Sequence, residues 1–171
     1  MTDGTEIRDI FVSGLRDAHA MENQALAIMK PQVSRIENYP EIGARLERHI
    51  EETRAQRDRI ARILDSLGED NSTLKDAALS VTGSLAALGH TVAGDEILKN
   101  SFANFAFENY EIAAYRSLLA LAEHGGYSSA ADVLKLNLEE EQAMARWLHE
   151  NLDKVTLQFA ARREANLTAK T

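Results

Sequence analysis

The stretch HIEETRAQRDRIARIL, residues 49–64, has the apolar spacing of an α-helix, but its centre is unusual for a helix that packs on a core. Ile60 marks the face that would be buried. His49, Glu52 and Gln56 fall on or beside that same face, because residues three, four or seven apart share one side of a helix. Buried ionisable groups need a partner, so this helix predicts either a polar site inside the protein or a helix tilted toward solvent.

The composition sets limits on the class of protein. The chain has 171 residues, is 44% hydrophobic and carries a net charge of −8, which argues against nucleic acid or an anionic membrane as a partner. It has no cysteine, which excludes disulfides, thiolate metal sites and cysteine nucleophiles. We find neither a signal-peptide pattern nor a run of about 18 apolar residues. We therefore expect a cytoplasmic protein that does not span a membrane.

Apolar residues recur at helical spacing along nearly the whole chain, and no segment alternates as a β-strand would. Four long helices are predicted, over about residues 5–30, 40–67, 95–124 and 129–155. No glycine or proline follows Gly126, so a continuation of the last helix well past Leu152 is left open. Pro31 is expected to end or kink the first helix, and Gly68 to stop the second. Residues 68–94 are predicted to form a crossover with a short extra helix. The charged segment 161–171 is expected to fray.

The connections between these helices predict the topology. Short connections join the first helix to the second and the third to the fourth, whereas a long one separates the two pairs. Two antiparallel hairpins joined by one long crossover describe a ferritin-like four-helix bundle. We therefore predict an all-α protein in which residues 1–171 form a single up-down four-helix-bundle domain.

Each helix carries a carboxylate near the middle of its apolar stripe. The candidates are Glu22 in the first helix, Glu52 (or Thr53 at that position) in the second, Glu108 and Glu111 in the third, and Glu141 or its neighbour Glu140 in the fourth. Ions buried without compensation would cost more than the roughly 5–15 kcal/mol that stabilises a folded protein. The carboxylates must therefore be solvated, protonated or neutralised by a cation.

Two divalent metal ions would neutralise a cluster of four such charges. Glutamate and histidine suit iron or manganese well, and zinc acceptably. The predicted metal ligands are Glu22, His49, Glu52, Glu108, Glu111 and Glu141.

A structural interpretation remains open for each of these residues. A tilted helix can carry a glutamate to solvent, and a histidine on an apolar face is often a hydrogen-bonded core residue. Tyr115 is interpreted as a core tyrosine with a hydrogen-bonded hydroxyl, in preference to a hydrogen-bond donor to a metal ligand or an electron source beside the metals. Gln56 either bonds to a carboxylate ligand or bridges to Arg59 or water.

Sequence motifs in all four helices carry a family resemblance. They are IRDIFVSGLRDAHAMENQAL (7–26), HIEETRAQRDRI (49–60), FENYEIAAYRSL (107–118) with LAEHGGY (121–127), and LKLNLEEEQA (134–143). Together they resemble the YciE/YciF type of bacterial stress-associated ferritin-like proteins, over nearly the whole chain. The resemblance implies a ferritin-like bundle, a homodimer, and a fold that can hold a dinuclear metal site.

The ligand pattern departs from the ferritin-like one. That pattern takes one Glu from each of two helices and a Glu-x-x-His from each of the other two. Glu22 and Glu108 match the first type, and Glu52 and Glu141 match the glutamates of the second. The histidines do not match, since His49 precedes Glu52 by three residues and none follows Glu141 at that spacing. The site is therefore richer in carboxylate, or it holds metal weakly.

Two functions are consistent with this sequence. The first is a stress-associated protein with a carboxylate-rich dinuclear iron or manganese site that handles peroxide or oxygen, as a dimetal oxidoreductase. The alternative is a non-catalytic, dimeric helical bundle with a role in the stress response or in binding, whose metal site is vestigial. The metal content of protein purified without a chelator would distinguish them.

Overall fold

A computed structural model describes residues 3–69 and 93–171 of the protein. It contains four helices: α1 (Asp3–Val33), α2 (Pro40–Ser66), α3 (Glu96–His124) and α4 (Ser128–Glu164). Neither described stretch contains a β-strand, so the all-α prediction is confirmed. The short helix predicted within the crossover lies outside the described residues.

The four helices form a bundle in which α1 packs against α2 and α3, and α4 packs against α3 and α2. The backbone N–H of Asn38, between α1 and α2, donates to the carbonyl of Thr171 at 3.1 Å. Ile97 N–H, at the start of α3, donates to the Lys170 carbonyl at 2.9 Å. Helices α2 and α3 therefore begin at the end of the bundle where α1 and α4 finish. Two antiparallel hairpins side by side are the predicted ferritin-like arrangement.

Two apolar clusters fill the bundle interior, one toward each end. Phe11, Leu15 and Leu134 belong to the first cluster. Leu46 and Leu148 belong to the second. Burying each such side chain contributes about 1.5–3 kcal/mol. Between the clusters lies a polar layer, whose buried members include Glu22, His49, Thr53, Gln56, Glu108, Glu111, Asn137 and Glu141.

Two helices extend beyond the residue ranges predicted for them. Helix α1 runs through Pro31 to Val33, because a proline so near the carboxyl end forfeits only one hydrogen bond of the helix. Helix α4 reaches Glu164 and buries Val155, rather than ending near residue 155. The apolar spacing of α3 also places Phe102 on the buried face, but Phe102 is 52% exposed and the neighbouring Ser101 is buried instead.

The segment 161–171 does not fray as predicted. The Tyr39 hydroxyl donates to the Ala169 carbonyl at 2.7 Å, and Ala169 is buried. The Asn38 side-chain amide donates to the Thr171 carbonyl at 2.7 Å. These contacts hold the carboxyl-terminal segment against the α1–α2 connection. Sequence pattern alone could not show them, because both partners are distant in the chain.

Candidate metal centre

Side chains from three helices converge in the polar layer. His49 of α2, Glu108 and Glu111 of α3, and Glu141 of α4 each offer one ligand-capable atom, and these atoms all lie within 4.8 Å of one another. All four residues are buried. Glu108 and Glu111 point together because residues three apart share one helix face. One imidazole nitrogen and three carboxylates form a set that can hold a divalent cation.

The two ring nitrogens of His49 face different carboxylates. Nε2 lies 3.2 Å from Glu108 Oε2 and 3.5 Å from Glu141 Oε2. Nδ1 lies 2.8 Å from Glu52 Oε2, and that oxygen also accepts a hydrogen bond from Arg45 Nη1 at 3.1 Å. Nε2 is therefore the nitrogen directed at the converging carboxylates.

Glu52 does not belong to the converging group, although the sequence placed it among the ligands. Its side chain is 34% exposed and bonds the outer nitrogen of the His49 ring. Thr53, the alternative at this position, takes the buried face and donates its hydroxyl to the His49 carbonyl at 2.8 Å. A carboxylate on the second nitrogen of a histidine fixes the tautomer and the ring orientation of a metal ligand. Glu52 is suited to that supporting role.

Glu22 lies beside the group and is held by a hydrogen bond from another helix. The Tyr115 hydroxyl donates to Glu22 Oε1. The Asn137 side-chain amide donates to the Tyr115 oxygen at 3.0 Å. Glu22, Tyr115 and Asn137 are all fully buried. Tyr115 is therefore a buried, hydrogen-bonded core residue, and its bond to a predicted ligand also fits the alternative of a donor to a metal ligand, since it fixes one oxygen of Glu22.

Buried polar atoms without an aligned hydrogen-bond partner are concentrated in this layer. Among the described residues they include Glu22 Oε2, His49 Nε2, both amide atoms of Gln56, Glu108 Oε2, Glu111 Oε1 and both oxygens of Glu141. Nearly all buried polar groups in native proteins are hydrogen-bonded. Most atoms in this set are carboxylate oxygens or an imidazole nitrogen, which are atom types that bind metal ions. Their arrangement therefore fits a bound cation.

Burial and mutual repulsion shift the ionisation of this layer. Burial raises the pKa of Glu22 to about 8, although the Tyr115 hydrogen bond opposes the shift. Burial, together with neighbouring carboxylates, raises the pKa of Glu111 and of Glu141 well above the usual range. Burial lowers the pKa of His49, but the charge of Glu108 and the contact with Glu52 outweigh it and raise the pKa to about 9. When no cation is bound, protons on these carboxyl groups and on the imidazole therefore reduce the negative charge of the layer. A bound cation would displace those protons.

Comparison with known proteins establishes the family. The family model described as a domain of unknown function, DUF892, matches residues 6–161. The chain belongs to the DUF892 family. It is 31% identical to protein YciF of Escherichia coli K12 over 145 residues, which cover 80% of this chain and 84% of YciF. The resemblance to YciF-type proteins is therefore confirmed.

Two solved structures share the fold of this DUF892 chain. The structure of a Xanthomonas campestris pv. campestris protein aligns with a TM-score of 0.78 at 33% identity, covering 93% of this chain and 99% of that one. The structure of the E. coli stress protein YciF aligns with a TM-score of 0.73 at 29% identity, covering 85% and 94%. Within the described ranges, no helix of the DUF892 chain combines the length and apolar character needed to cross a membrane.

The structure distinguishes the alternatives that the sequence left open in this DUF892 protein. Glu141 is buried in the layer, whereas Glu140 pairs with Arg59 at 2.7 and 3.0 Å nearer the surface. Gln56 is fully buried, and neither of its amide atoms bonds to Arg59 or to a carboxylate of the described chain. The structure therefore shows neither the bond to a carboxylate ligand nor the bridge to Arg59 that the sequence left open for Gln56.

Sequence reasoning missed the residues that support the layer. Asn137 precedes Glu141 by four residues, so helical spacing placed it on the same face and could have identified it. Arg59 donates from Nη1 to Asn137 Oδ1 at 2.8 Å. Arg45 is buried beside Glu52. No sequence signal separates these two arginines from the surface arginines of α2, since a long side chain reaches inward from a bordering position.

Proposed function

We propose that this DUF892 protein binds divalent iron or manganese in the polar layer and handles peroxide or oxygen as part of a stress response. The observation that carries the proposal is the convergence of one atom each from His49, Glu108, Glu111 and Glu141 within 4.8 Å, in a buried layer where several carboxylate oxygens lack an aligned donor among the described residues. The E. coli relative is described as a stress protein, which supports the cellular setting.

The charge of the layer supports two cations per chain. Glu22, Glu108, Glu111 and Glu141 supply four carboxylates, and two divalent ions would balance them. His49, Glu108, Glu111 and Glu141 would hold the first ion. Glu22 Oε2 and the Gln56 amide oxygen remain available to a second. A carboxylate-rich set with a single nitrogen favours iron or manganese.

The residues around the layer exclude bulk water and orient the proposed ligands. When bound, the metal pair would supply the redox capacity to react with peroxide or oxygen. The apolar clusters on either side, with Leu15 toward one end and Leu46 toward the other, exclude bulk water from the layer. Glu52 holds the His49 ring so that Nε2 faces inward. A dry site with fixed ligands strengthens each electrostatic contact.

The alternative function, a non-catalytic dimeric bundle with a vestigial site, also has one supporting observation. His49 has a pKa of about 9, so as an imidazolium it can balance part of the charge of Glu108 and Glu141 without any metal. In that case bound protons, and not metal ions, would offset the negative charge of the buried carboxylates.

Metal analysis tests the choice between these two functions. The purified chain is treated with chelator, reconstituted anaerobically with Fe²⁺ or Mn²⁺, and analysed by mass spectrometry of the elements. We expect about two ions per wild-type chain. Glu108→Ala should lose stoichiometric binding, and the matched control Glu123→Ala, an exposed position of the same helix, should not.

The loaded wild-type protein should also consume hydrogen peroxide faster than Glu108→Ala does. A wild-type chain that takes up no metal, and whose melting temperature does not change with added Fe²⁺ or Mn²⁺, would support the alternative. A cation that binds only the folded state must raise its stability.

A further inference from the structure

Three hydrogen bonds in series connect the rim of the bundle to Glu22, using one residue from each helix. Arg59 of α2 donates to Asn137 Oδ1 of α4 at 2.8 Å. The Asn137 amide nitrogen donates to the Tyr115 oxygen of α3 at 3.0 Å. The Tyr115 hydroxyl donates to Glu22 Oε1 of α1. We call Arg59, Asn137, Tyr115 and Glu22 the arginine relay.

The direction of each bond in the relay follows from the chemistry of the groups. A guanidinium only donates, so Asn137 must present its oxygen to Arg59 and its NH₂ group to Tyr115. The Tyr115 oxygen then accepts from Asn137, and its single hydrogen is left for Glu22. Arg59 thus determines which way the Asn137 amide faces. Without Arg59, no charged partner would favour one of the two flipped orientations of the Asn137 amide over the other.

Arg59 is itself held in place by Glu140. Its two terminal nitrogens meet the two Glu140 oxygens at 2.7 and 3.0 Å. The side chains are 18% and 21% exposed, so the pair is partly screened by solvent and contributes little as an isolated ion pair. Two parallel hydrogen bonds nevertheless fix the plane of a guanidinium. Arg59 is therefore oriented toward Asn137.

We propose that Arg59 is a positioning residue for the metal centre. Acting through Asn137 and Tyr115, it keeps Glu22 Oε1 occupied and presents Glu22 Oε2 to a cation. This role rests on the proposed metal-binding function. Glu22 Oε2 is buried and has no aligned partner among the described residues, which is the state expected of an oxygen reserved for a ligand.

A metal-independent measurement tests the relay itself. The hydroxyl proton of Tyr115, buried and bonded to the Glu22 carboxyl group, should give a slowly exchanging, downfield proton resonance in the metal-free protein. Tyr115→Phe assigns this resonance by removing it. Arg59→Gln should shift or broaden it, and Arg59→Lys, which keeps the positive charge, should restore part of the wild-type signal. Arg62→Gln, at an exposed position one turn along the same helix, should leave it unchanged.

Metal affinity tests the consequence for the centre. Mn²⁺ binding is measured by competition with a chromophoric chelator. Tyr115→Phe should weaken binding by about 10–100-fold, the usual effect of losing a group that orients a ligand. Arg59→Gln acts through two intervening residues and should weaken it by about threefold to tenfold, below that range. Arg62→Gln should match the wild type.

The outcomes separate this proposal from the proposed function. If the wild type binds no Fe²⁺ or Mn²⁺, the proposed function fails. An unchanged Tyr115 resonance in Arg59→Gln overturns the positioning role in either case. If the wild type binds metal and Arg59→Gln binds it equally tightly, the proposal is also overturned. Should Arg59→Gln fail to fold, Glu140→Gln releases the guanidinium instead, and unchanged affinity and resonance in that variant overturn the proposal.

Discussion

Nδ1 of His49 lies 2.8 Å from Oε2 of Glu52, on the opposite edge of the ring from the nitrogen that faces Glu108. Glu52 is therefore separated from the converging carboxylates by the imidazole itself. The Arg45 guanidinium, which donates to the same Glu52 oxygen, holds the carboxylate in that place. Glu52 and His49 thus have different roles, although they are one helical turn apart.

Replacement of Glu52 tests this separation of roles. Glu52→Ala removes the acceptor on Nδ1 but leaves the inward-facing atoms, so metal affinity should fall by about 10–100-fold while stoichiometry is retained at high metal concentration. Isothermal titration with Mn²⁺ measures both quantities. Glu51→Ala, an exposed neighbour, is the matched control and should change neither. Complete loss of stoichiometric binding in Glu52→Ala would instead make Glu52 a direct ligand.

The stability of the metal-free protein should fall as pH rises. Glu22 has a pKa of about 8 in the folded protein, against 4.5 ordinarily, so between these values the folded chain holds a proton that the unfolded chain releases. His49, with a pKa of about 9 against 6.5, adds a loss of the same sign up to about pH 9. Glu52, whose pKa is lowered despite partial burial by the His49 hydrogen bond and Arg45, acts in the opposite direction only near and below pH 4.5.

Urea unfolding with chelator at pH 5.5 and pH 8 measures this effect. The unfolding free energy should be lower at pH 8, and Glu22→Gln should reduce the difference because it removes one of the groups with a raised pKa. Higher stability at pH 8 than at pH 5.5 would contradict the assignment of protons to the layer.

Removal of a buried carboxylate should stabilise the metal-free bundle. Glu141 is fully buried, and neither of its oxygens has an aligned donor among the described residues. Glu141→Met keeps the approximate length of the side chain without the unsatisfied polar group, and should raise the unfolding free energy by about 1–3 kcal/mol while abolishing metal binding. Thermal unfolding measures the gain. Glu139→Met, at an exposed position, should show no comparable gain, and a destabilised Glu141→Met would show that the carboxylate already has a favourable partner.

The hydroxyl of Tyr39 should stabilise the attachment of the carboxyl-terminal segment. Tyr39→Phe deletes its hydrogen bond to the Ala169 carbonyl and should lower the unfolding free energy by about 0.5–1.5 kcal/mol. Urea denaturation provides the measurement. Tyr110→Phe is the control. Because Tyr110 is 62% exposed, this variant should be as stable as the wild type. Equal stability of both variants would mean that the segment is not held by this bond.

The spacing of apolar and acidic residues was enough to predict the bundle and most of the polar layer. Glu22, His49, Glu108 and Glu141 each fall in the centre of a helical stripe, and the structure buries all four. The burial of Glu52 was harder to predict, because Glu52 and Thr53 lie on either side of the centre of the helix face that packs on the core. A rotation of α2 by a fraction of a turn decides which one is buried, and that rotation depends on packing against the other helices.

Other features depend on contacts between distant parts of the chain. The attachment of Ala169 to Tyr39 joins residues 130 positions apart, so no local pattern could reveal it. The bond from Arg59 to Asn137 spans 78 positions. The inner position of Ser101, which displaces Phe102 to the surface, likewise follows from how α3 rotates in the bundle. Local periodicity predicts which faces are buried, but not which polar side chains meet across them.

The most direct test of metal binding in the layer is a crystal structure of the protein grown with Mn²⁺ or Fe²⁺, with anomalous diffraction recorded on both sides of the absorption edge of the metal. We predict an anomalous peak between His49 Nε2 and the carboxylates of Glu108, Glu111 and Glu141, with Glu52 still bonded to Nδ1. A map with no anomalous peak in the layer, or with metal only on the protein surface, would contradict the proposed centre.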